Sequence, residues 1–153
     1  MFDEKKLIEL NIQLPKAPDP VGAYVAFKVI DKLLFISGQL PIDINGKMIK
    51  GKIGKDLSVD DGLKASTLCV TNILAQVKKA LNGDLNNVKN CIKITGYVNS
   101  TDNFFDQPKI INPASEILSS LFGDKGKHTR AAVSTNSLPL GAAVEIDAIF
   151  EIL

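Results

Sequence analysis

Two charged side chains lie inside apolar, strand-like runs near the carboxyl end of the chain, and they are the first candidates for chemistry. Arg130 begins the run Arg-Ala-Ala-Val, and Glu145 lies in the run Ala-Val-Glu-Ile-Asp-Ala-Ile. Removing such a charge from water costs on the order of several kcal/mol unless a partner or ligand compensates it. A guanidinium matches a carboxylate or phosphate, and a carboxylate can accept a proton from water. The two residues therefore predict a binding site for a small anion.

Both residues also have plainer interpretations, which their spacing leaves open. Arg130 is equally consistent with a structural arginine that pairs with a carboxylate of its own or a neighbouring chain. Glu145 could be a solvated residue at a sheet edge, and for Asp147, on the same strand face, that interpretation is favoured. In a plain hairpin of the last two strands, Arg130 and Glu145 would lie three residues out of register. They would then be roughly 10 Å apart along the strands, too far for a direct ion pair.

Hydroxyl side chains offer further candidates. Tyr24 and Ser37 each end a strand-like run beside a glycine, Gly22 or Gly38, where a backbone or ligand can come close. Either hydroxyl could bind a substrate, although each one alone is more typical of a surface or turn position. His128 is more typical of a capping or surface residue than of a base, and no cysteine or serine is tied to it by spacing. A nucleophilic triad is therefore not indicated.

Composition and charge narrow the class of protein. The 153 residues are 45% hydrophobic and 23% charged, which is typical of one globular domain over 1–153. Eighteen basic and seventeen acidic residues, without a basic stripe, make nucleic acid an unfavoured partner. A single histidine and two cysteines without C-x-x-C spacing predict no metal site and favour a reducing, cytoplasmic location. No apolar run approaches the roughly 18 residues that span a bilayer, so no membrane segment is predicted.

The elements that position these residues follow from periodicity and capping signals. Asp3 can cap a short first helix, so that 1–14 form a helix and an arm. Ser58, with Asp61 three residues later, predicts a capped amphipathic helix that stops at Gly83. Asn112 and Pro113 predict the start of a second long helix, over 113–122. Strands are predicted over 24–30, 32–37, 88–98, 130–135 and 143–152.

This order of elements predicts an α+β fold with two helices packed on one face of a mixed β-sheet. The run Leu33-Leu-Phe-Ile36 is apolar on both faces of its strand. Helices on one side alone would leave the other apolar face exposed to water, and we therefore expect the chain to self-associate.

Four spaced motifs resemble those of the Rid (YjgF/L-PSP) family, and the likeness extends over the chain from about Pro15. The motifs are Val21-Gly-Ala-Tyr24, Leu34-Phe-Ile-Ser-Gly-Gln-Leu-Pro41, Arg130-Ala-Ala-Val133 and Leu138-Pro-Leu-Gly-Ala-Ala-Val-Glu145-Ile-Asp-Ala-Ile149. Gly96-Tyr-Val-Asn-Ser100 and Ile111-Asn-Pro-Ala-Ser115 are similar to the chorismate-mutase-like, "putative endoribonuclease" subgroup. The resemblance implies a chorismate-mutase-like fold, assembled as a homotrimer with a cleft between each pair of subunits.

The resemblance also implies an activity. In the best understood branch of the family, the cleft hydrolyses small reactive enamines and imines, such as 2-aminoacrylate, to 2-keto acids and ammonia without a cofactor. Arg130 matches the arginine that clamps the substrate carboxylate, and Glu145 matches the acid that orients or activates water. Tyr24 and Ser37 match the hydroxyls that line the cleft.

Two further positions are implied as substrate-binding. Gly38 matches the backbone that approaches the ligand. Asn112 is the candidate for the family's cleft asparagine, although it lies beside Pro113 in a differently spaced segment.

The residues and the family resemblance together suggest three functions. The first is a cytoplasmic, trimeric deaminase of small imino acids that uses Arg130 and Glu145. The second is a non-catalytic module that binds a small carboxylate and needs Arg130 but not Glu145. The third, suggested only by the family label, is RNA cleavage, which the near-neutral charge and the lack of a second basic catalyst disfavour.

Overall fold

The computed structural model describes Phe2 and residues 4–153, apart from the side chain of Glu4. Asp3, predicted to cap the first helix, lies outside the described residues. The helices are α1 (Glu4–Glu9), α2 (Val59–Ala80) and α3 (Gln107–Phe122), and the strands are β1 (Phe27–Ile30), β2 (Leu33–Gln39), β3 (Val88–Asn99), β4 (Thr129–Thr135) and β5 (Val144–Ile152).

The five strands form one mixed sheet in the order β1-β2-β5-β3-β4. Only β3 and β4 run parallel to one another, and the other neighbours are antiparallel. The helices α2 and α3 pack on one face of this sheet and enclose the apolar core with it. The predicted α+β architecture, with a mixed sheet and helices on one face, is therefore confirmed.

The long helix α2 begins where the sequence predicts. The Ser58 hydroxyl accepts from the backbone of Asp61, and the Asp61 carboxylate accepts from the backbone of Ser58, so the capping box is complete. At its other end, Gly83 adopts a positive φ of 97° and donates to the carbonyl of Lys78. A glycine is favoured there because it adopts that conformation without strain from a side chain.

The helix α3 begins at Gln107, so the prediction of a start at Pro113 is wrong. Asn112 is not its cap, and Pro113 lies inside the helix. A proline inside a helix removes a backbone hydrogen bond and costs about 3 kcal/mol. The fully buried side chains of Ile110 and Ile111 offset this cost, since burying an isoleucine stabilises the fold by about 1.5–3 kcal/mol.

The last two strands do not form the plain hairpin considered from the sequence. β4 pairs with β3 at the sheet edge, whereas β5 lies on the other side of β3 and pairs with β2 as well. The connection between them therefore crosses the end of β3, where polar side chains hold it. Asn99 donates to the carbonyl of Ala142 (3.2 Å), and Lys52 Nζ donates to the carbonyl of Asn136 (2.7 Å).

The N-terminal arm docks on the core. Ile12 and Leu14 pack against buried residues, and Gln76 Nε2 donates to the carbonyl of Pro18 (2.6 Å). The first strand is shorter than predicted, because 24–26 are not part of β1. In the described part of the chain, no helix is long and apolar enough to cross a membrane.

The sheet face opposite the helices is open and partly apolar, as the sequence predicts. Leu34 and Ile36 are buried on the helix side, whereas Leu33 and Phe35 on the other face are each 37% exposed. Glu145, Asp147 and Ile149 of β5 alternate with buried residues and point to this same open face.

Candidate functional site

A β-bulge in β2 shapes the open face of the sheet. Ile36 pairs with Ala148 and Gln39 pairs with Ile146, so Ser37 and Gly38 together oppose the single residue Asp147. A bulge adds one residue to one strand and turns nearby side chains out of the regular alternation. It therefore directs the Ser37–Gly38 segment towards the acidic side chains of β5.

A cavity of about 710 Å³ lies over this bulge, between the N-terminal arm, β2 and β5. Four of the predicted catalytic or binding residues line it together: Tyr24, Ser37, Gly38 and Glu145. The polar part of the lining is acidic, since it includes Asp19 and Asp147 with Glu145 but, among the described residues, no lysine or arginine.

The two hydroxyls of the cavity have complementary hydrogen-bonding capacity. Ser37 Oγ donates to the carbonyl of Val25 (2.7 Å), which leaves its lone pairs to accept from a ligand N–H. Tyr24 Oη accepts from the amide of Val21 (3.3 Å) and keeps its own hydrogen to donate. Tyr24 is 50% exposed, so a ligand can reach its hydroxyl.

The carboxyl groups of Glu145 and Asp147 both have raised pKa values. Burial is the main cause for Glu145, and the neighbouring charge of Asp147 raises its pKa further. Burial also raises the pKa of Asp147, although hydrogen bonds from Thr95 and Tyr97 and the charge of Lys93 oppose this. A carboxyl group whose pKa lies nearer neutrality exchanges protons more readily at physiological pH.

Gly38 leaves the space that the Glu145 carboxyl group occupies. A Cβ atom at position 38 would overlap Glu145 Oε1 and would lie 2.8 Å from its Cδ. Gly38 does not have a φ in the left-handed region, so the backbone itself would accept an L side chain. Steric room for Glu145 is therefore the physical reason for a glycine here.

Arg130 lies elsewhere in the protomer. It pairs with the buried Ile94 and shares its side of the sheet, whereas Glu145 pairs with Tyr97 on the opposite face. The two residues are separated by one intervening strand and by three positions of register, about 10 Å in each direction. The fold of one chain therefore does not bring the predicted anion clamp to the cavity.

The guanidinium of Arg130 rests on three neutral oxygens of α3. Its Nη1 donates to Asn112 Oδ1 (3.0 Å) and Ser115 Oγ (3.2 Å), and its Nη2 donates to the carbonyl of Pro108 (3.4 Å). No described carboxylate forms a salt bridge with it. The described part of the chain therefore offers no acid partner for a structural arginine, and the contacts with described residues leave two of its five N–H donors, on Nε and Nη2.

Three residues named from the sequence have surroundings that the sequence did not indicate. Asp147 lines the cavity, although its spacing favoured a solvated residue. Asn112 lies on the helix face that holds Arg130, which its spacing beside Pro113 did not indicate. His128 is bonded to Ser115 and to the carbonyl of Gly126 and is not a free surface base. Among the described residues, no cluster of three or more metal-binding side chains occurs.

The raised pKa values of Glu145 and Asp147 predict how stability depends on pH. Because the native state holds these protons more tightly than the unfolded state, their stabilising contribution is complete below the unfolded pKa and is lost as pH rises through the folded pKa. Glu145→Gln is therefore expected to raise the melting temperature more at pH 8 than at pH 5, as measured by circular dichroism.

Glu151 on the same strand is the matched control. Its pKa is lowered, chiefly by hydrogen bonds from Lys89 and Asn90. Its contribution is present above the unfolded pKa and is lost as pH falls, so Glu151→Gln is expected to lower the melting temperature or leave it unchanged at pH 8. Equal effects of the two substitutions at pH 8 would contradict the assignment of an unfavourable charge at Glu145.

Comparison with known protein families identifies the family of this chain. Residues 4–151 match the family described as "YjgF/chorismate_mutase-like, putative endoribonuclease". The chain belongs to the YjgF family. The resemblance seen in the four sequence motifs is confirmed, and the match runs from the start of α1 to the last residue but one of β5.

Several relatives of this YjgF-family chain are similar over nearly its whole length. Protein TCP17 of Trypanosoma cruzi is 40% identical over 147 residues, which are 95% of this chain and 91% of that protein. The crystal structure of Atu1372 from Agrobacterium tumefaciens, a protein of unknown function, is 45% identical with a TM-score of 0.91, and covers 98% of this chain and 93% of that one. A "putative endoribonuclease" from Shewanella oneidensis is 29% identical with a TM-score of 0.92, over 97% and 98% of the two chains.

Other relatives carry names that describe an activity. The human 2-iminobutanoate/2-iminopropanoate deaminase is 27% identical over 144 residues, 94% of this chain and 90% of that protein. The RidA structure from an Antarctic Psychrobacter is 26% identical with a TM-score of 0.63, over 92% of this chain and 97% of that one. At similar identity, the backbone of this YjgF-family chain is thus closer to the Shewanella protein than to this RidA.

Proposed function

We propose that this YjgF-family protein is a hydrolytic deaminase that converts small enamines and imines of the 2-aminoacrylate type to 2-keto acids and ammonia. The relatives named as 2-iminobutanoate/2-iminopropanoate deaminases support this reaction class. The observation that carries the proposal is the cavity itself, in which Glu145, with a raised pKa, lies beside two hydroxyls and a close backbone segment.

The charge of the cavity supports a site shared between subunits. An imino acid has a carboxylate at one end and a basic nitrogen at the other. The acidic lining suits the nitrogen end and repels the carboxylate end, so a positive charge from outside this lining would complete the site. Arg130, on the edge strand β4 with two donors unused, is suited to supply it to a neighbouring copy.

We therefore propose a homotrimer with three clefts, each combining the cavity of one subunit with Arg130 and Asn112 of the next. The exposed apolar side chains Leu33, Phe35 and Val133 support self-association, because each is between 37% and 46% exposed in the protomer. The two cysteines are buried free thiols, which supports a cytoplasmic location.

The proposed reaction needs one water molecule and no external electron donor. An enamine first takes a proton at its terminal carbon and loses one N–H proton to solvent, which gives the imine. Glu145 then accepts a proton from water as the water oxygen forms a bond with the imine carbon. The imine nitrogen takes a proton as the carbon–nitrogen double bond becomes single, and it receives a second proton back from Glu145. The new hydroxyl group then loses its proton as the carbon–nitrogen bond breaks, which releases ammonia and leaves the 2-keto acid. Arg130 would hold the carboxylate in a bidentate contact, while Ser37, Tyr24 and the Gly38 backbone orient the remaining atoms.

The test is direct. 2-Aminoacrylate is generated by a pyridoxal-phosphate-dependent dehydratase, and ammonia release is followed with and without the purified protein. We expect release to accelerate in proportion to the protein concentration, and light scattering to give three times the chain mass of 16.5 kDa. A rate equal to the uncatalysed rate with several imines would reject the deaminase.

A binding module is the competing function, and the separation of Arg130 from Glu145 within a protomer favours it. Calorimetry with pyruvate distinguishes the binding module from the deaminase. Pyruvate binding that survives Glu145→Gln, together with no turnover of any imine, would establish a carboxylate-binding module.

A further inference from the structure

A directed chain of hydrogen bonds runs from Arg130 through two residues that the proposed function does not use. Arg130 Nη1 donates to Ser115 Oγ (3.2 Å), Ser115 Oγ lies 2.9 Å from His128 Nε2, and His128 Nδ1 lies 2.6 Å from the carbonyl oxygen of Gly126. The chain thus links the guanidinium to the backbone of the segment that follows α3.

The contact between His128 and the Gly126 carbonyl shows which atom is the donor in each of the other hydrogen bonds. A carbonyl oxygen can only accept, so His128 Nδ1 must carry the hydrogen that it shares with Gly126. In the neutral ring, Nε2 is then an acceptor, and it receives the hydroxyl hydrogen of Ser115. The lone pairs of Ser115 Oγ are therefore left to face Arg130. His128 orients the Ser115 hydroxyl so that it accepts from the guanidinium.

The Gly126 end of this hydrogen-bond chain is held firmly. A Cβ atom at Gly126 would overlap the carbonyl oxygen of Leu118 and lie 2.6 Å from its carbonyl carbon. These are backbone atoms of α3 that cannot move aside as a side chain can. The segment 123–126 is thus packed directly on the helix, and the Gly126 carbonyl is a rigid reference point for the His128 ring.

The three acceptors for Arg130 lie along one face of α3. Pro108, Asn112 and Ser115 have the spacing i, i+4, i+7, which places their oxygens in a row on the helix surface. A guanidinium held along this row keeps its Nε–H and its remaining Nη2–H on the side away from the row. Those two donors are the pair available for a bidentate contact with a carboxylate.

We propose that Ser115 and His128 are positioning residues that fix the orientation of the Arg130 guanidinium for an incoming carboxylate. The statement that a carboxylate comes to Arg130 rests on the proposed function. The orientation itself does not, and it is tested without any substrate.

The first experiment uses nitrogen-15 NMR of the wild-type protein without substrate. We expect a hydrogen on His128 Nδ1, which faces the Gly126 carbonyl oxygen, and slow rotation of the Arg130 guanidinium. In Ser115→Ala, rotation of the guanidinium is expected to become at least about fivefold faster, since a charge-assisted hydrogen bond is lost. Ser120, which is exposed on the same helix, provides the control Ser120→Ala, for which no change is expected. A hydrogen on Nε2, or unchanged rotation in Ser115→Ala, would overturn the proposal.

The second experiment measures the consequence for the carboxylate. In the ammonia-release assay, Ser115→Ala and His128→Leu are each expected to raise KM about tenfold and to change kcat less than about twofold, as expected when a hydrogen bond to a charged group is weakened. Ser115→Thr and His128→Gln retain a hydroxyl and an acceptor, and both are expected to remain close to the wild type.

The two experiments distinguish a failure of the proposed function from a failure of the positioning role. If the wild type releases no ammonia, the proposed function fails, and pyruvate binding followed on the Arg130 Nε signal replaces KM as the readout. If Ser115→Ala frees the guanidinium but leaves both KM and pyruvate affinity unchanged, the positioning role is wrong although the hydrogen-bond chain is real.

Discussion

Arg130→Ala is expected to lower kcat/KM for 2-aminoacrylate by about 100-fold or more, to a rate close to that of the uncatalysed reaction. The cavity carries three acidic side chains and, in the described part of the chain, no lysine or arginine, so nothing else in its lining attracts a carboxylate. Two charge-assisted hydrogen bonds to one carboxylate together account for a loss of that size. The assay is ammonia release from enzymatically generated 2-aminoacrylate.

Arg130→Lys is the matched variant. It keeps the positive charge but replaces the planar set of donors by a point charge, and we expect partial activity with a raised KM. Because Arg130 also contacts Asn112 and Ser115, thermal unfolding and the subunit mass of each variant are measured in parallel. A folded, trimeric Arg130→Ala protein with the wild-type rate would show that the guanidinium is not the clamp.

Gly38→Ala is expected to lower kcat/KM by about 100-fold while changing the melting temperature by only about two degrees. The added methyl group would overlap the end of the Glu145 side chain, which is flexible and can swing away at little cost in stability. A general base that has left its position no longer accelerates the reaction, and such a base typically contributes 10²–10⁴-fold.

A double substitution isolates the steric cause. In a Glu145→Gln background the base is already absent, so adding Gly38→Ala is expected to cause little further loss of activity. The carbon-13 signal of the Glu145 carboxyl group gives a second measurement. Its pKa should fall towards the ordinary value in Gly38→Ala, because the displaced group is less buried. Losses that multiply in the double variant would contradict a shared mechanism.

The candidate site residues come from two separate parts of the fold. The cavity residues Tyr24, Ser37, Gly38 and Glu145 come from the arm, β2 and β5, which are neighbours in one protomer. Arg130 comes from β4, two strands away from β5 and on the other face.

Local elements were predictable because their determinants lie within a few residues. The capping box of Ser58 and Asp61 and the apolar periodicity that follows it predict α2 within its own sequence. Alternation along β5 predicts which side chains face the helices, and the structure has the same alternation. The start of α3 was mispredicted, because burial of Ile110 and Ile111 outweighs the local cost of Pro113.

The amino-acid sequence by itself determined the α+β class, the family, the long helix α2 and which residue types the candidate site contains. Only the tertiary structure decided that β4 pairs with β3 instead of β5, that Gly38 leaves room for Glu145, and that Arg130 rests on α3 across the sheet from the cavity. The physical reason is the separation along the chain over which each determinant acts. Capping and periodicity act between residues a few positions apart, whereas strand partners, steric room and charge neighbours depend on segments that meet only when the chain is folded.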